Sequence, residues 1–321
     1  MPPSARGAAS NTRAIGVVVN PFAGGNRDER NRAEAVRRVV GDLGSVHETG
    51  SVEAIDDVVR ELQRERIEIL AICGGDGSFF RTLSAMVRIY GDAPLPHFLP
   101  LRAGSMNTIA RAVGCRPGSP EAVLAAVVAD HRAGRPADLA HHHLIRVNGD
   151  NYGFLVGAGV IVNFLQAYYE RPERGPLAAA RLLGRIAVGG LYRSAEVIRL
   201  FKTTDAAIDC DGASVGRGVF RIIFAGTVPE MGLGFRLTYR ATAGVDGFHF
   251  LAGNLAPAEV LVRLPRAHRG KPLDLREWHD SLAQRVVVEF AEPTHYMIDG
   301  DVLDEVTRLE MSTGPRLAII R

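Results

Sequence analysis

The chain has 321 residues, enough for two domains of ordinary size, and its 46% apolar and 23% charged residues are the balance of a globular protein. Its 38 Lys and Arg against 36 Asp and Glu leave a formal charge of +2, which gives no reason to expect nucleic acid as a partner. Cys73, Cys115 and Cys210 form neither a CxxC pair nor a metal-ligand spacing and fit reduced thiols in a cytosolic protein. No apolar run approaches the ~20 residues that cross a bilayer.

Residues 1–14 lack the apolar stretch of a signal peptide and read as a disordered leader. Ala14–Asn20 is a β-branched run suited to a strand covered on both faces, and Pro21–Asn26 breaks it as a turn. A helix is expected over Asp28–Val40, a strand over Ser45–Glu48 and a helix over Val52–Arg64, with Ile55, Val58, Val59 and Leu62 on one face. The pattern continues with a strand at Ile67–Cys73, a helix at Phe79–Tyr90, a strand at His97–Leu101 and a helix at Pro120–Ala129. Alternating strands and helices imply a parallel sheet, so residues 1–139 are expected to form an α/β domain.

Beyond residue 140 short strands take over, at Leu144–Val147, Gly153–Val156, Glu196–Phe201, Val219–Ala225, Gly234–Tyr239, Phe248–Leu251 and Arg285–Phe290. Helices are expected at Pro176–Tyr192 and Pro257–Arg269. Residues 140–309 thus read as an antiparallel β-sandwich, and the strand Arg316–Ile320, within 310–321, as one that returns to the first domain. His141, His142 and His143 stand side by side in a strand, where alternate side chains point to opposite faces and cannot converge on one ion.

Three glycine-bearing turns follow successive strands: Asn20-Pro21-Phe22-Ala23-Gly24, Gly74-Gly75-Asp76-Gly77-Ser78, and Gly104-Ser105-Met106-Asn107. Glycine lets a backbone approach a phosphate, a helix start aims N–H groups at it, and ligands bind at the carboxyl ends of parallel strands. Asp76 supplies a hard oxygen of the type Mg²⁺ prefers. The turn Asp299-Gly300-Asp301 could aim two carboxylates into the same cleft, or be a surface turn as Asp-Gly commonly is.

In these motifs, together with Asp246-Gly247-Phe248, the sequence resembles the diacylglycerol kinase catalytic domain family, which includes sphingosine and ceramide kinases. The resemblance implies a nucleotide-binding α/β domain, a lipid-binding β-sandwich, and ATP with Mg²⁺ in the cleft between them. By it, Asn20 to Gly24, Thr49, Gly74 and Gly75 through Arg81 (Asp76, Gly77, Ser78, Phe79, Phe80), Gly104, Ser105 and Asn107 contact the nucleotide. Asp301 and Asp299 supply the general base and, with Asp76, organise Mg²⁺. Ala243, Asp246 and Phe248 bind a second, structural metal, and Asp138 belongs to a metal–water network. The expected substrate is a membrane lipid alcohol, reached by peripheral contact from the cytoplasm; a homodimer is left open. Thr108 and Ile161 stand where the family usually carries acids, and Asp301 where it has Glu. Alternatives are a non-catalytic nucleotide- or lipid-binding regulator and a soluble-substrate kinase of the NAD kinase type. Two segments could meet the membrane: the apolar helix 177–191 with Arg181 and Arg185, and the basic run Arg263, Arg266, His268, Arg269 and Lys271.

Overall fold

The computed structural model describes residues 13–27, 31–51, 53–173, 175–191, 194–242, 245–254 and 256–321. The expected leader therefore lies almost wholly outside the described residues. In chain order the N-terminal part holds β1 (Ile15–Val19), α1 (Gly24–Arg27), α2 (Arg32–Val40), β2 (Gly44–Glu48), α3 (Glu53–Glu65), β3 (Ile69–Gly74), α4 (Asp76–Tyr90), β4 (His97–Arg102), α5 (Thr108–Ala112) and α6 (Pro120–Arg132). The strands are parallel in the order β2-β1-β3-β4. Alternation along β1 explains its run of β-branched residues. Val17 and Val19 pack toward Val36 of α2 and Leu124 of α6, while Val18 meets Val59 and Leu62 of α3 and Leu83 of α4 on the other face.

The C-terminal part is antiparallel: β5 (Leu139–Val147), β6 (Asn151–Gly153), β7 (Leu155–Gly159), α7 (Val160–Tyr169), α8 (Pro176–Leu191), α9 (Ala195–Leu200), β8 (Thr204–Cys210), β9 (Ala213–Phe220), β10 (Ile222–Gly226), β11 (Phe248–Gly253), α10 (Pro257–His268), β12 (Trp278–Ala283), β13 (Arg285–Ile298) and β14 (Asp301–Ile320). The molecule is thus mixed α/β, with a parallel and an antiparallel part. The two are continuous: β14 runs antiparallel to β13 and β5 and ends with Ile319 beside Phe98 of β4, in parallel. A second core of Val156, Ile223, Phe248, Phe250, Val286 and Leu309 fills the antiparallel part.

Several expected elements differ. Glu196–Phe201 is helical because Ser194 caps Val197 N–H, and the buried Val197 and Leu200 are three apart, a helical rather than an alternating spacing. Gly234–Tyr239 forms turns, with Gly232 and Gly234 at φ of 121° and 77°. The run Val219–Ala225 is split at Arg221 between β9 and β10. The turn at Pro21–Asn26 contains the short α1, and α4 begins at Asp76, so Asp76 lies inside the first helical turn. In β5, His142 and His143 bond separate carbonyls, those of Thr227 and Gly314, each at 3.0 Å.

Leu317 of β14 is fully buried against the core shared by the two parts. Leu317→Ala should cost about 2–5 kcal/mol, read as a shift in urea midpoint. A midpoint within error of the parent's would mean that β14 is not held by this core.

Candidate active site

The parallel register sets the carboxyl ends of the strands level: Val19 stands opposite Glu48 and Cys73, and Cys73 opposite Leu101. Their turns therefore emerge along one edge. Hydrogen bonds fasten them together there, from Asn20 N to Cys73 O (3.0 Å), Thr49 N to Val19 O (3.0 Å) and Ala103 N to Gly74 O (3.1 Å). Asn20 Nδ2 donates to Ser78 Oγ at 2.8 Å. The buried Asn26, which the sequence motifs do not single out, donates from Nδ2 to Asn20 O at 2.7 Å and Cys73 O at 3.2 Å. Nothing in sequence separates Asn26 from an ordinary turn residue; its role follows from burial between two strand ends.

Glycine is required here by approach. A Cβ on Gly104 would lie 2.5 Å from Gly75 Cα, one on Gly24 2.4 Å from Ser105 Oγ, and one on Gly77 2.5 Å from Asp301 Oδ1. The result is a cradle of bare backbone with Asp301 held over the start of α4.

Asp76 ties this cradle to the third turn. Its carboxylate accepts from Thr108 N at 3.0 Å and Ile109 N at 2.9 Å, which caps α5. Burial pushes its pKa up to about 6, against the pull of those N–H groups and of Arg111, with the Asp301 charge adding to the rise. Asn107 adopts φ of 50° and closes its own turn, accepting from Gly104 N at 2.8 Å and donating to Gly104 O at 2.7 Å.

Asp299 and Asp301 sit on the hairpin between β13 and β14 and have different surroundings. Asp299 is 3% exposed, has φ of 50°, and its carboxylate accepts from Phe154 N at 2.9 Å and Leu155 N at 2.8 Å. It clamps the hairpin to β7. Burial holds its pKa well above the ordinary carboxylate value, and the charges of Asp76 and Asp301 act in the same direction. Asp301 keeps a partly open carboxylate, 3.3 Å from Arg81 Nε. Burial raises its pKa as well, with the Arg81 guanidinium opposing. Tyr169 of α7 buttresses the turn by donating to Gly300 O at 2.9 Å.

These groups line the polar end of a cavity of about 800 Å³. Asn20, Phe22, Ala23, Gly24, Thr49, Gly75, Asp76, Gly77, Ser78, Arg81, Gly104, Ser105, Asp299 and Asp301 all reach its wall. The other end is apolar and is built from α7, α8, α9, α10 and the 231–237 segment, with Val160, Ile161, Phe164, Leu183, Phe201 and Leu237 among its lining residues. Apart from Ile161, none of these residues was singled out by a motif, because the chamber is assembled from single side chains of remote elements.

Other expected site residues lie elsewhere. Phe79 and Phe80 are core side chains, 0% and 2% exposed, and Phe79 packs edge-on to Phe98 at 5.6 Å. Phe79 N is bonded to Gly75 O inside α4 and is not free to meet a phosphate. Pro21, Gly74 and Asn107 support the turns without reaching the wall; a Cβ on Gly74 would lie 2.5 Å from Ser78 Cβ. Asp138 is paired with Arg321 at 3.1 Å and does not line the cavity. Asp246 is exposed and its carboxylate is 3.4 Å from His143 Nε2. Phe248 is a fully buried strand residue opposite Ala283, and Ala243 lies outside the described residues.

Residues 14–141 match the family model described as diacylglycerol kinase catalytic domain. Over those residues, about two fifths of its length, the chain is similar to that family. The full fold is similar to that of a crystal structure of a diacylglycerol kinase from Bacillus anthracis str. Sterne, with TM-score 0.64, 13% identity and 96% of each chain covered. A second protein of that strain, named provisionally as a diacylglycerol kinase, gives TM-score 0.68 at 14% identity, over 96% of this chain and 97% of the other. Yeast NADH kinase complexed with NADH is more distant, at TM-score 0.50 and 10% identity, covering 96% of this chain and 83% of that one. At such identities these likenesses speak for the fold. No curated protein sequence matches the chain.

Titration of ¹³C-labelled aspartates by NMR should place Asp76 near pH 6, and Asp301→Asn should lower that midpoint by removing a neighbouring negative charge. A midpoint at the ordinary 3.8, unmoved by the substitution, would mean that the two carboxylates do not share a site. Gly104→Ala should open the cradle and destabilise the fold by roughly 1–3 kcal/mol, through overpacking against Gly75 backbone. An unchanged melting temperature would contradict the close approach.

Proposed function

We propose that this protein is an ATP- and Mg²⁺-dependent lipid kinase that phosphorylates a hydroxyl of a membrane lipid. One observation carries the reading: a single cavity joins a glycine cradle with carboxylates at one end to a largely apolar chamber at the other. A phosphate-bearing nucleotide suits the first end and a hydrocarbon chain the second. A soluble acceptor such as NAD would leave the apolar end unfilled. Ile161, where related kinases usually carry an acid, here contributes an apolar wall.

The donor set fits Mg²⁺. Asp76 and Asp301 offer hard carboxylate oxygens, and Ser105 a hydroxyl. Asp76 and Asp301 would hold the ion, which when bound supplies charge neutralisation on the transferring phosphoryl group. The chain's own residues do the remainder. Backbone at Gly24, Gly75 and Gly104 binds and orients the phosphates. Asp301, the more open of the two hairpin carboxylates, accepts the proton from the attacking hydroxyl at an oxygen beside Arg81. Asp299, with its oxygens committed to Phe154 and Leu155 N–H, positions the turn that carries Asp301.

Turnover of labelled ATP with a panel of lipid alcohols in mixed micelles, set against NAD and soluble sugars, tests the reading. Transfer to a lipid alcohol is expected; transfer to NAD or a sugar alone would overturn it. Asp301→Asn should lower kcat by roughly 10²–10⁴-fold with its melting temperature close to the parent's. Asp299→Asn should lower both kcat and melting temperature, because the amide sets an NH2 donor where Oδ2 now accepts from Phe154 N at 3.2 Å. Full turnover in Asp301→Asn with loss in a stably folded Asp299→Asn would reverse the two roles.

A further inference from the structure

Helices α8 and α10, distant in sequence, pack against each other, and both wall the apolar end of the cavity. Ala179, Leu183 and Ile186 come from α8, and Leu264 and Ala267 from α10. Their outer faces meet solvent with an uncommon mixture of groups. Leu177 and Val262 are 63% and 71% exposed. Arg181 and Arg185 flank the first, and Arg263, Arg269 and Lys271 follow the second in and just beyond α10.

These cations are weakly engaged within the protein. The nearest carboxylates to Arg181 and Arg185 lie at 3.8 Å, and both arginines are more than half exposed. Arg266 is held by Asp274, whereas among the described residues no carboxylate lies within ion-pair distance of Arg263, Arg269 or Lys271. Arg263 also reaches the cavity wall, so the basic face and the cavity are continuous.

We propose that the outer faces of α8 and α10 dock the protein on an anionic phospholipid surface, with the apolar end of the cavity opening there to take a lipid chain directly from the bilayer. The docking stands independently of catalysis; only the identity of what enters the cavity rests on the lipid-kinase reading. Charge complementarity names the occupant. The whole chain carries only +2, so an anionic surface must be sensed by this local cluster. Exposed Leu177 and Val262 suit the acyl boundary, and arginines on long apolar stems suit the phosphate layer above it. Each basic side chain near an anionic surface strengthens partitioning about fivefold.

The experiment is cosedimentation of the full chain with phosphatidylcholine vesicles, with and without phosphatidylglycerol. The parent should bind at least about tenfold more strongly when phosphatidylglycerol is present. A variant combining Arg181→Glu, Arg185→Glu, Arg269→Glu and Lys271→Glu should lose that preference. A control combining Arg37→Glu, Arg60→Glu, Arg132→Glu and Arg308→Glu, with the same change in net charge on other surfaces, should keep it. Leu177→Ser with Val262→Ser should weaken binding while preserving the preference. If the charge-reversed variant fails to melt cooperatively, the corresponding glutamine variant is read in its place. A parent that ignores phosphatidylglycerol, a docking variant that binds like the parent, or two quadruple variants that lose binding equally would overturn the proposal. Phosphoryl transfer to a dispersed short-chain lipid alcohol separates the two readings, since the docking variant should retain it. A parent that binds these vesicles but phosphorylates no lipid alcohol would sink the kinase reading and leave the docking face standing.

Discussion

The close passage of four backbone turns at one edge of the sheet is the constraint on which the site depends. None of Gly24, Gly75, Gly77 and Gly104 has a positive φ, so their conformations are open to other residues. Space is what excludes those residues: a Cβ at any of the four would fall within about the van der Waals limit of a facing turn or of Asp301, and at three of them well inside it. Glycine here is a packing requirement between β1, β3, β4 and the β13–β14 hairpin. It brings a second part of the molecule into contact with the glycine cradle, and it leaves backbone rather than side chain as the surface a ligand would meet.

Three aspartates inherit different work from that geometry. Asp76 is shared between the start of α4, where it resides, and the N–H groups that open α5, so it joins two turns and still faces the cavity. Asp299 is spent on β7, and burial together with the charges of Asp76 and Asp301 makes it costly to ionise. Asp301 alone of the hairpin pair retains an open carboxylate, moderated by Arg81. A cluster of this kind resists full ionisation.

How much could be read in the sequence follows from how local each requirement is. The parallel strands were legible because a strand covered on both faces shows as a continuous apolar run, and the turns because their glycines and acids lie within a few residues of one another. Phe79 and Phe80 were placed at the site by resemblance, yet their side chains are buried in the core, Phe79 edge-on to Phe98 of β4. The strand expected at Glu196–Phe201 failed because a short apolar-polar run fits both periods until its cap is seen. The apolar chamber was invisible: α7, α8, α9 and α10 each contribute a few ordinary aliphatic side chains, and only tertiary packing makes them one wall.

The central claim is that one cavity carries a lipid chain from the apolar helices to Asp301. Photo-crosslinking measures it most directly, using a lipid alcohol with a diazirine at the end of its acyl chain and mass spectrometry of the labelled peptides. Labels are expected on α7, α8 and the 231–237 segment, at Phe164, Leu183 or Leu237, and to be competed away by unlabelled lipid. Competable labels confined to other surfaces, with these three segments untouched, would contradict the account.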